Sequence, residues 1–335
     1  MNFTLKAITP HELDAFYDTF EGEKSYLQTS KYGDFREALG EKNFRFGIFF
    51  GDRIIGTVQF QRIPARRGIH LHTPHGPLII AKHREPACAF FLEEYKKIGK
   101  KEKCDFVRVS PLFSPEEISA FSQAKFRSAP VHLVNPERTW VLDLTQSEED
   151  ILKNMRSSTR YEIRRIEKSG IKIRRGNTLQ DLDIFWKLHM ETVSRQGFVP
   201  FARHTTETEL KIFGKNILMF SAEIEHIFCS SSIIIFDNNA AYYHQGASIY
   251  RKEPVSHATL WEAIKEAKKR GCREFNFWGV SPEDKPSHPW TGLSRFKRGF
   301  GGSERVFLHA QDAPLTLKYW GNWVLERYRK WKRGY

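Results

Sequence analysis

The chain has 335 residues, 40% of them hydrophobic and 28% charged, which excludes a disordered or fibrous protein and suits two domains of ordinary size. It carries 53 Lys and Arg against 40 Asp and Glu, a net charge of +13, with 14% aromatic residues, and such a surface favours polyanions. The cysteines, Cys88, Cys104, Cys229 and Cys272, form no C-x-x-C pair and no zinc spacing, so they read as buried thiols of a reducing compartment.

The first twenty residues are polar and broken by Pro10, without a secretory apolar region. The longest aliphatic run, 233–236, is far too short to span a bilayer, and a cytoplasmic location is expected. Residues 46–60 read as strand, tight Gly51-Asp52 turn and strand. An amphipathic helix over 86–100 follows, with Phe90, Leu92, Tyr95 and Ile98 as its apolar positions, then a strand over 104–110.

A strand over 140–144 leads into Thr145-Gln-Ser-Glu148, a capping box. It predicts a helix to Ser169, stopped by Gly170, with Leu152, Met155, Thr159, Ile163 and Ile166 as the apolar stripe. Another face carries Arg156, Arg160, Arg164 and Lys168 at spacings of four, where like charges repel. A phosphate-tracking stripe and an ordinary solvated face are both open.

The order then returns: strand 218–224, turn Glu225-His226, strand 227–236, strand 240–248, helix 254–270 with Leu260, Trp261, Ile264 and Ala267 inward, and strand 272–280. Equivalent landmarks lie about 170 residues apart, which predicts an internal duplication. The fold class is therefore α/β (α+β): two tandem acetyltransferase-like (GNAT-type) domains, the first over 1–145 with 307–335 returning to it, the second over 146–306.

Past the strand ending in Trp278-Gly279 comes a proline-rich loop, then Phe296-Lys-Arg-Gly-Phe-Gly-Gly302. Glycines let backbone approach a ligand, and Lys297 beside them is a natural oxyanion or phosphate partner; a plain Gly-rich turn stands as the other reading. The C-terminal tract from Lys318 mixes Trp, Tyr, Lys and Arg with a single Glu. Trp320, Val324, Tyr328 and Trp331 are expected to dock it on a domain with a basic outer face; a surface for membrane or RNA is the alternative.

Walker A, G-x-G-x-x-G, H-E-x-x-H and G-x-S-x-G motifs are absent. Neither 75–84 nor 246–254 carries the Arg/Gln-x-x-Gly-x-Gly/Ala loop that holds the pyrophosphate of coenzyme A. The acyl donor is thus expected to be something other than coenzyme A, with no cofactor and no metal.

The chain resembles the Fem family of tRNA-dependent peptidoglycan-bridge aminoacyltransferases (FemABX-type). The resemblance rests on Leu27-Gln-Thr-Ser-Lys-Tyr-Gly-Asp-Phe-Arg36, Thr139-Trp-Val-Leu-Asp-Leu-Thr145, Met155-Arg-Ser-Ser-Thr-Arg-Tyr-Glu-Ile-Arg164, Gln245-Gly-Ala-Ser248 and the Phe296 to Gly302 motif. It implies an aminoacyl-tRNA donor and a peptidoglycan precursor, lipid II or UDP-MurNAc-peptide, as acceptor. It implies Lys297 at the reacting carbonyl and Phe296 near the acceptor end of the tRNA. Arg36, Arg203, Tyr242 and His244 fall at acceptor-binding positions, and Arg156, Arg160 and Arg164 are the expected tRNA contacts. The expected protein is a monomer, with peripheral contact to the inner face of the membrane. Two other functions compete: an N-acyltransferase using acyl-CoA or acyl-carrier protein on a small amine, and a non-catalytic RNA- or membrane-surface-binding protein.

Overall fold

The computed structural model describes residues 2–65, 68–131, 135–196, 202–249 and 251–332. In chain order it begins with β1 (Phe3–Ala7), α1 (Pro10–Thr19), α2 (Ser30–Ala38), β2 (Lys42–Phe50), β3 (Arg53–Ala65), β4 (Gly68–Pro74), β5 (Leu78–Ile79), α3 (Arg84–Lys101), β6 (Phe106–Ser110), α4 (Ser119–Gln123) and β7 (Arg127–Ser128). It continues with β8 (Arg138–Asp143), α5 (Glu148–Asn154), α6 (Ser157–Arg165), β9 (Lys172–Gly176), α7 (Leu179–Gln196), α8 (Arg203–Phe213), β10 (Ile217–Ile224), β11 (Ile227–Phe236) and β12 (Ala240–Ser248). The last elements are α9 (Val255–Lys269), β13 (Glu274–Gly279), α10 (Thr291–Arg298), β14 (Ser303–Val306), β15 (Gln311–Pro314) and α11 (Lys318–Lys332).

The chain divides into two compact units, Met1–Glu137 with Val306–Tyr335, and Arg138–Arg305. Their sheets share one plan. The first runs β1-β2-β3-β4-β6-β15-β7, with β5 on β3, and the second runs β9-β10-β11-β12-β13-β8-β14. Each has one central parallel pair, β4 with β6 and β12 with β13, flanked on both sides by antiparallel neighbours. The sixth strand differs in its place along the sequence: β15 follows the second unit yet completes the first sheet, while β8 opens the second unit and completes its sheet. The strand read as the end of the first domain therefore belongs to the second unit.

The central helices form for the reasons the periodicity gives. On α3, Ala87, Cys88, Phe91, Leu92 and Tyr95 are buried at three- and four-residue spacings against Val58, Phe60, Leu71 and Val107. Phe91 takes the inward position expected of Phe90, which is half-buried. On α9, Leu260, Trp261, Ile264 and Ala267 pack on Phe220, Ile234, Phe275 and Phe277, each buried Leu, Ile or Phe contributing about 1.5–3 kcal/mol. Gly271, with φ +79, lets the chain leave α9 in the left-handed conformation. All four cysteines are free and buried.

Two expectations are corrected here. The helix over 145–169 is two helices, because Met155 and Arg156 are both extended. Its N-cap is Ser147, which accepts from the backbone of Asp150, while Thr145 is held by Asp143. The stripe Trp320, Val324, Tyr328 and Trp331 does not dock α11; all four are exposed. The docked face is Tyr319, Asn322 and Glu326: the Tyr319 hydroxyl donates to Asp312 at 3.2 Å and Glu326 receives Arg108 at 3.1 Å. Buried polar partners in the first unit outweigh the apolar spacing. Tyr335, at the end of that tract, lies outside the described residues. Among them, no helix is long and apolar enough to cross a membrane.

Candidate active site

The second sheet parts at its parallel pair. β12 and β13 pair only from Ala240↔Glu274 to Tyr242↔Asn276, yet β12 runs on to Ser248 and β13 to Gly279. Ligands of open α/β sheets gather outside the carboxyl ends of strands where neighbours diverge. Two irregularities shape the opening. His244 is an extra residue on β12, since Ile233 pairs with Gln245 and Ile234 with Tyr243. On β13, Trp278 has φ +65, strained for a bulky side chain, and its N–H donates to the Asn276 side chain at 2.8 Å.

The Trp278 turn presents the Gly279 carbonyl to Lys297. The lysine is 5% exposed, donates to Gly279 O at 2.7 Å and lies 5.7 Å from the centre of the Tyr243 ring. No carboxylate partners it among the described residues, and burial alone pulls its pKa down to about 7. Two of its three N–H donors remain for a ligand. The neighbouring cation is the opposite case, for Arg298 is held by Glu283, Glu304 and the Ser281 carbonyl. α10 itself is fixed by Ser294, whose hydroxyl accepts from the Ser281 backbone at 2.7 Å.

Phe296 is half-buried, 5.0 Å from the His257 ring and 5.4 Å from the Phe300 ring. It lines a cavity of about 480 Å³ with Arg195, Arg251, Lys252, Ser256 and His257. This cavity runs along the stretch between β12 and α9 that lacks the coenzyme A loop. His257 is half-buried, and desolvation lowers its pKa to about 4, so it is a neutral, stacking ring at pH 7. Arg165 fixes the cavity rim by donating to the Lys252 carbonyl at 3.2 Å.

The other predicted residues separate. His244 turns to α8, 3.0 Å from Glu209, whereas Tyr243 joins the core of Leu260 and Phe277. Burial opposes charge on His244, but Glu209 overrides it and raises the imidazole pKa. Tyr242 is buried with its hydroxyl on Asp237 at 2.9 Å, so it braces the turn before β12 and the tyrosine beside Lys297 is Tyr243. Arg36 forms a two-pronged pair with Glu41, and Arg203 pairs with Asp183 at 2.6 Å and Glu207 at 2.8 Å.

The arginine stripe is three different things. Arg160 donates to the carbonyls of Leu152, Lys153 and Met155 and so closes the end of α5. Arg156 is the N-cap of α6 and reaches the Arg295 carbonyl at 3.4 Å. Arg164 is exposed, without a carboxylate partner among the described residues. The glycines after Lys297 also serve backbone packing more than a ligand. A Cβ at Gly302, φ +97, would sit 2.3 Å from the Val141 carbonyl, and one at Gly299 would sit 2.4 Å from the Thr159 hydroxyl.

A parted parallel pair, a buried cation without a carboxylate partner at its mouth and a cavity at the following helix stand in the second of two tandem acetyltransferase-like (GNAT-type) domains. A model of the FemAB family matches residues 8–131, 124–226 and 203–307, and the chain belongs to that family. It is 21% identical to the lipid II:glycine glycyltransferase of Staphylococcus epidermidis, over 92% of this chain and 93% of that one. The solved structure of FemX superimposes with a TM-score of 0.81 at 17% identity, covering 95% of this chain and 99% of that one. A tandem GNAT protein from the clavulanic acid biosynthesis pathway has a TM-score of 0.57 at 10% identity, covering 93% and 98%.

Proposed function

We propose that the protein moves an amino acid from an aminoacyl-tRNA to the stem-peptide amine of a peptidoglycan precursor. The observation that carries this reading is Lys297, a buried cation with no carboxylate partner at the mouth of the parted strands. The amine nitrogen attacks the ester carbonyl carbon and a C–N bond forms. Negative charge gathers on the carbonyl oxygen, where Lys297 donates; the C–O bond to the terminal ribose then breaks, and the ribose oxygen takes the amine's proton. A preorganised donor of this kind typically supplies about 3–4 kcal/mol. Glu209 raises the pKa of His244 and holds its ring toward α8.

The cavity suits the acceptor end of the tRNA. Phe296 and His257 offer ring faces for a base, and Arg195, Arg251 and Lys252 offer charge for phosphate. Arg156 and Arg164 extend that charge along α6. Arg36 and Arg203 take the acceptor's phosphates by exchanging them for their carboxylate partners, so alanine at either raises acceptor KM well above any change in donor KM. The acceptor is lipid II or its nucleotide-linked form, and the protein works as a monomer at the inner face of the membrane. Mass spectrometry after incubating each acceptor with total charged tRNA tests the assignment. The expected result is an acceptor heavier by one amino-acid residue; acceptors of unchanged mass, with acetyl-CoA consumed on a small amine instead, would overturn it.

A further inference from the structure

The helix α11 is amphipathic in the inverted sense. Its acid, Glu326, and its buried residues Tyr319 and Asn322 face the first unit, where Arg108 and Asp312 receive them. Its apolar side chains face out. Leu317 just before it, then Trp320, Val324, Tyr328 and Trp331, recur at three- and four-residue spacings, a stripe about 21 Å long. Val324 is 61% exposed and Trp331 75%, values no side chain needs for docking on its own unit. Five of the chain's exposed large apolar residues thus sit on one line, where single scattered ones are the norm.

Charge on the same helix is one-sided. Arg327, Arg329, Lys330 and Lys332 have no carboxylate partner among the described residues, and Arg127, on β7, lies 4.7 Å over the Trp320 ring. The only acid of α11 is turned inward. Tryptophan and tyrosine with cations and short aliphatics suit the boundary between lipid headgroups and acyl chains. A nucleic-acid strand would need a cationic groove with stackable faces, and Leu317 and Val324 give it nothing to stack on.

We infer that the outer face of α11 is a membrane-docking surface, lying in the interface of a bilayer that carries anionic headgroups. The stripe enters the headgroup boundary, and the cations meet lipid phosphates. The inference stands apart from the reaction proposed above and does not depend on it.

Vesicle flotation of the full chain tests it, with phosphatidylcholine alone and with phosphatidylcholine and phosphatidylglycerol at low and physiological salt. The parent protein should float with the anionic vesicles, with a blue shift of tryptophan fluorescence, and float much less with the neutral ones. Val324→Ser, Tyr328→Ser and Trp331→Ser together should lower the partition coefficient at least tenfold. Arg327→Gln, Arg329→Gln and Lys332→Gln should lower it about fivefold per cation at low salt. All six positions are exposed, so unchanged thermal melting certifies the fold of both variants. Flotation of the serine variant equal to the parent's would overturn the inference. So would a parent that ignores vesicles but is a dimer which the serine variant converts to monomer, or one that loses tRNA affinity alone on losing the stripe.

Discussion

The two units use one sheet plan to opposite ends. In the first, β4 and β6 stay paired over five residues, His70↔Phe106 to Pro74↔Ser110, and the Gln28 side chain closes the neighbouring ladder by donating to Gln59 O and Pro74 O. In the second, the equivalent pair separates after three residues of a nine-residue strand. Each unit also buries a cation. Arg108 is held by Asp312 at 2.7 Å and by Glu326, whereas Lys297 has only a backbone carbonyl. The first unit closes its sheet and neutralises its charge; the second leaves both open. On the function proposed above, the duplicated fold separates a structural copy from a chemical one.

The comparison breaks most readily at the two cations. Arg108→Met leaves Asp312 buried without its cation, with only the Tyr319 hydroxyl donating to it, and should cost about 3–5 kcal/mol in urea unfolding. Lys297→Met removes an unpaired buried charge, so it should be at least as stable as the parent while kcat falls by about 10²–10³. A stable, fully active Lys297→Met protein would end the claim that the second unit holds the chemistry.

The pH profile sharpens the same contrast. With its pKa lowered to about 7 from 10.5, Lys297 in the folded protein binds fewer protons than in the unfolded chain between those values, so its burial cost is present in full below pH 7 and relieved as pH rises to 10.5. Activity runs the other way: the cation is lost above pH 7, and kcat should show a falling limb there. Lys297→Arg stays charged and should erase the limb; its persistence in that variant would assign it elsewhere.

A smaller effect is expected at His244. Its pKa is raised in the folded state, so the pair with Glu209 contributes in full below the ordinary histidine value and is lost as pH rises through the raised one. Glu209→Gln should therefore lower the melting temperature more at pH 6 than at pH 9. Equal losses at both would mean that the pair's charge is immaterial. Smallest of all, Arg164→Ala should reduce the salt slope of tRNA binding by about one, while Arg160→Ala should lower stability. The reverse pattern would show that Arg160, and not Arg164, meets phosphate.

Much of this plan was legible in the residues. Repeated hairpin, helix and strand signals gave the duplication, and Lys297 stood out by its glycine context. The single helix expected over 145–169 fails because spacing cannot show the break at Met155 and Arg156, where the Gly299 carbonyl receives Arg156 N–H from far along the chain. That Tyr243 rather than Tyr242 lies beside Lys297 is not legible in the sequence, because the bulge at His244 is a single added residue that leaves no mark on composition. Glu209, His257 and Arg251 carried no motif at all. They matter through burial and through the cavity at the start of α9. The exposed aromatics of α11 had the spacing of a docking face, and only the Arg108 and Asp312 partners reveal that the helix is turned round.

The sixth strands set an order of assembly during synthesis on the ribosome. Everything the second sheet needs has been made once residue 306 is out, because β8 is already waiting. The first sheet, although its other strands are the earliest made, lacks its sixth member until residues 311–314 appear. Until then Arg108 has neither Asp312 nor Glu326. The N-terminal half is therefore the last to close, and protease pulses on stalled nascent chains should find it cut long after residues 138–305 have become resistant.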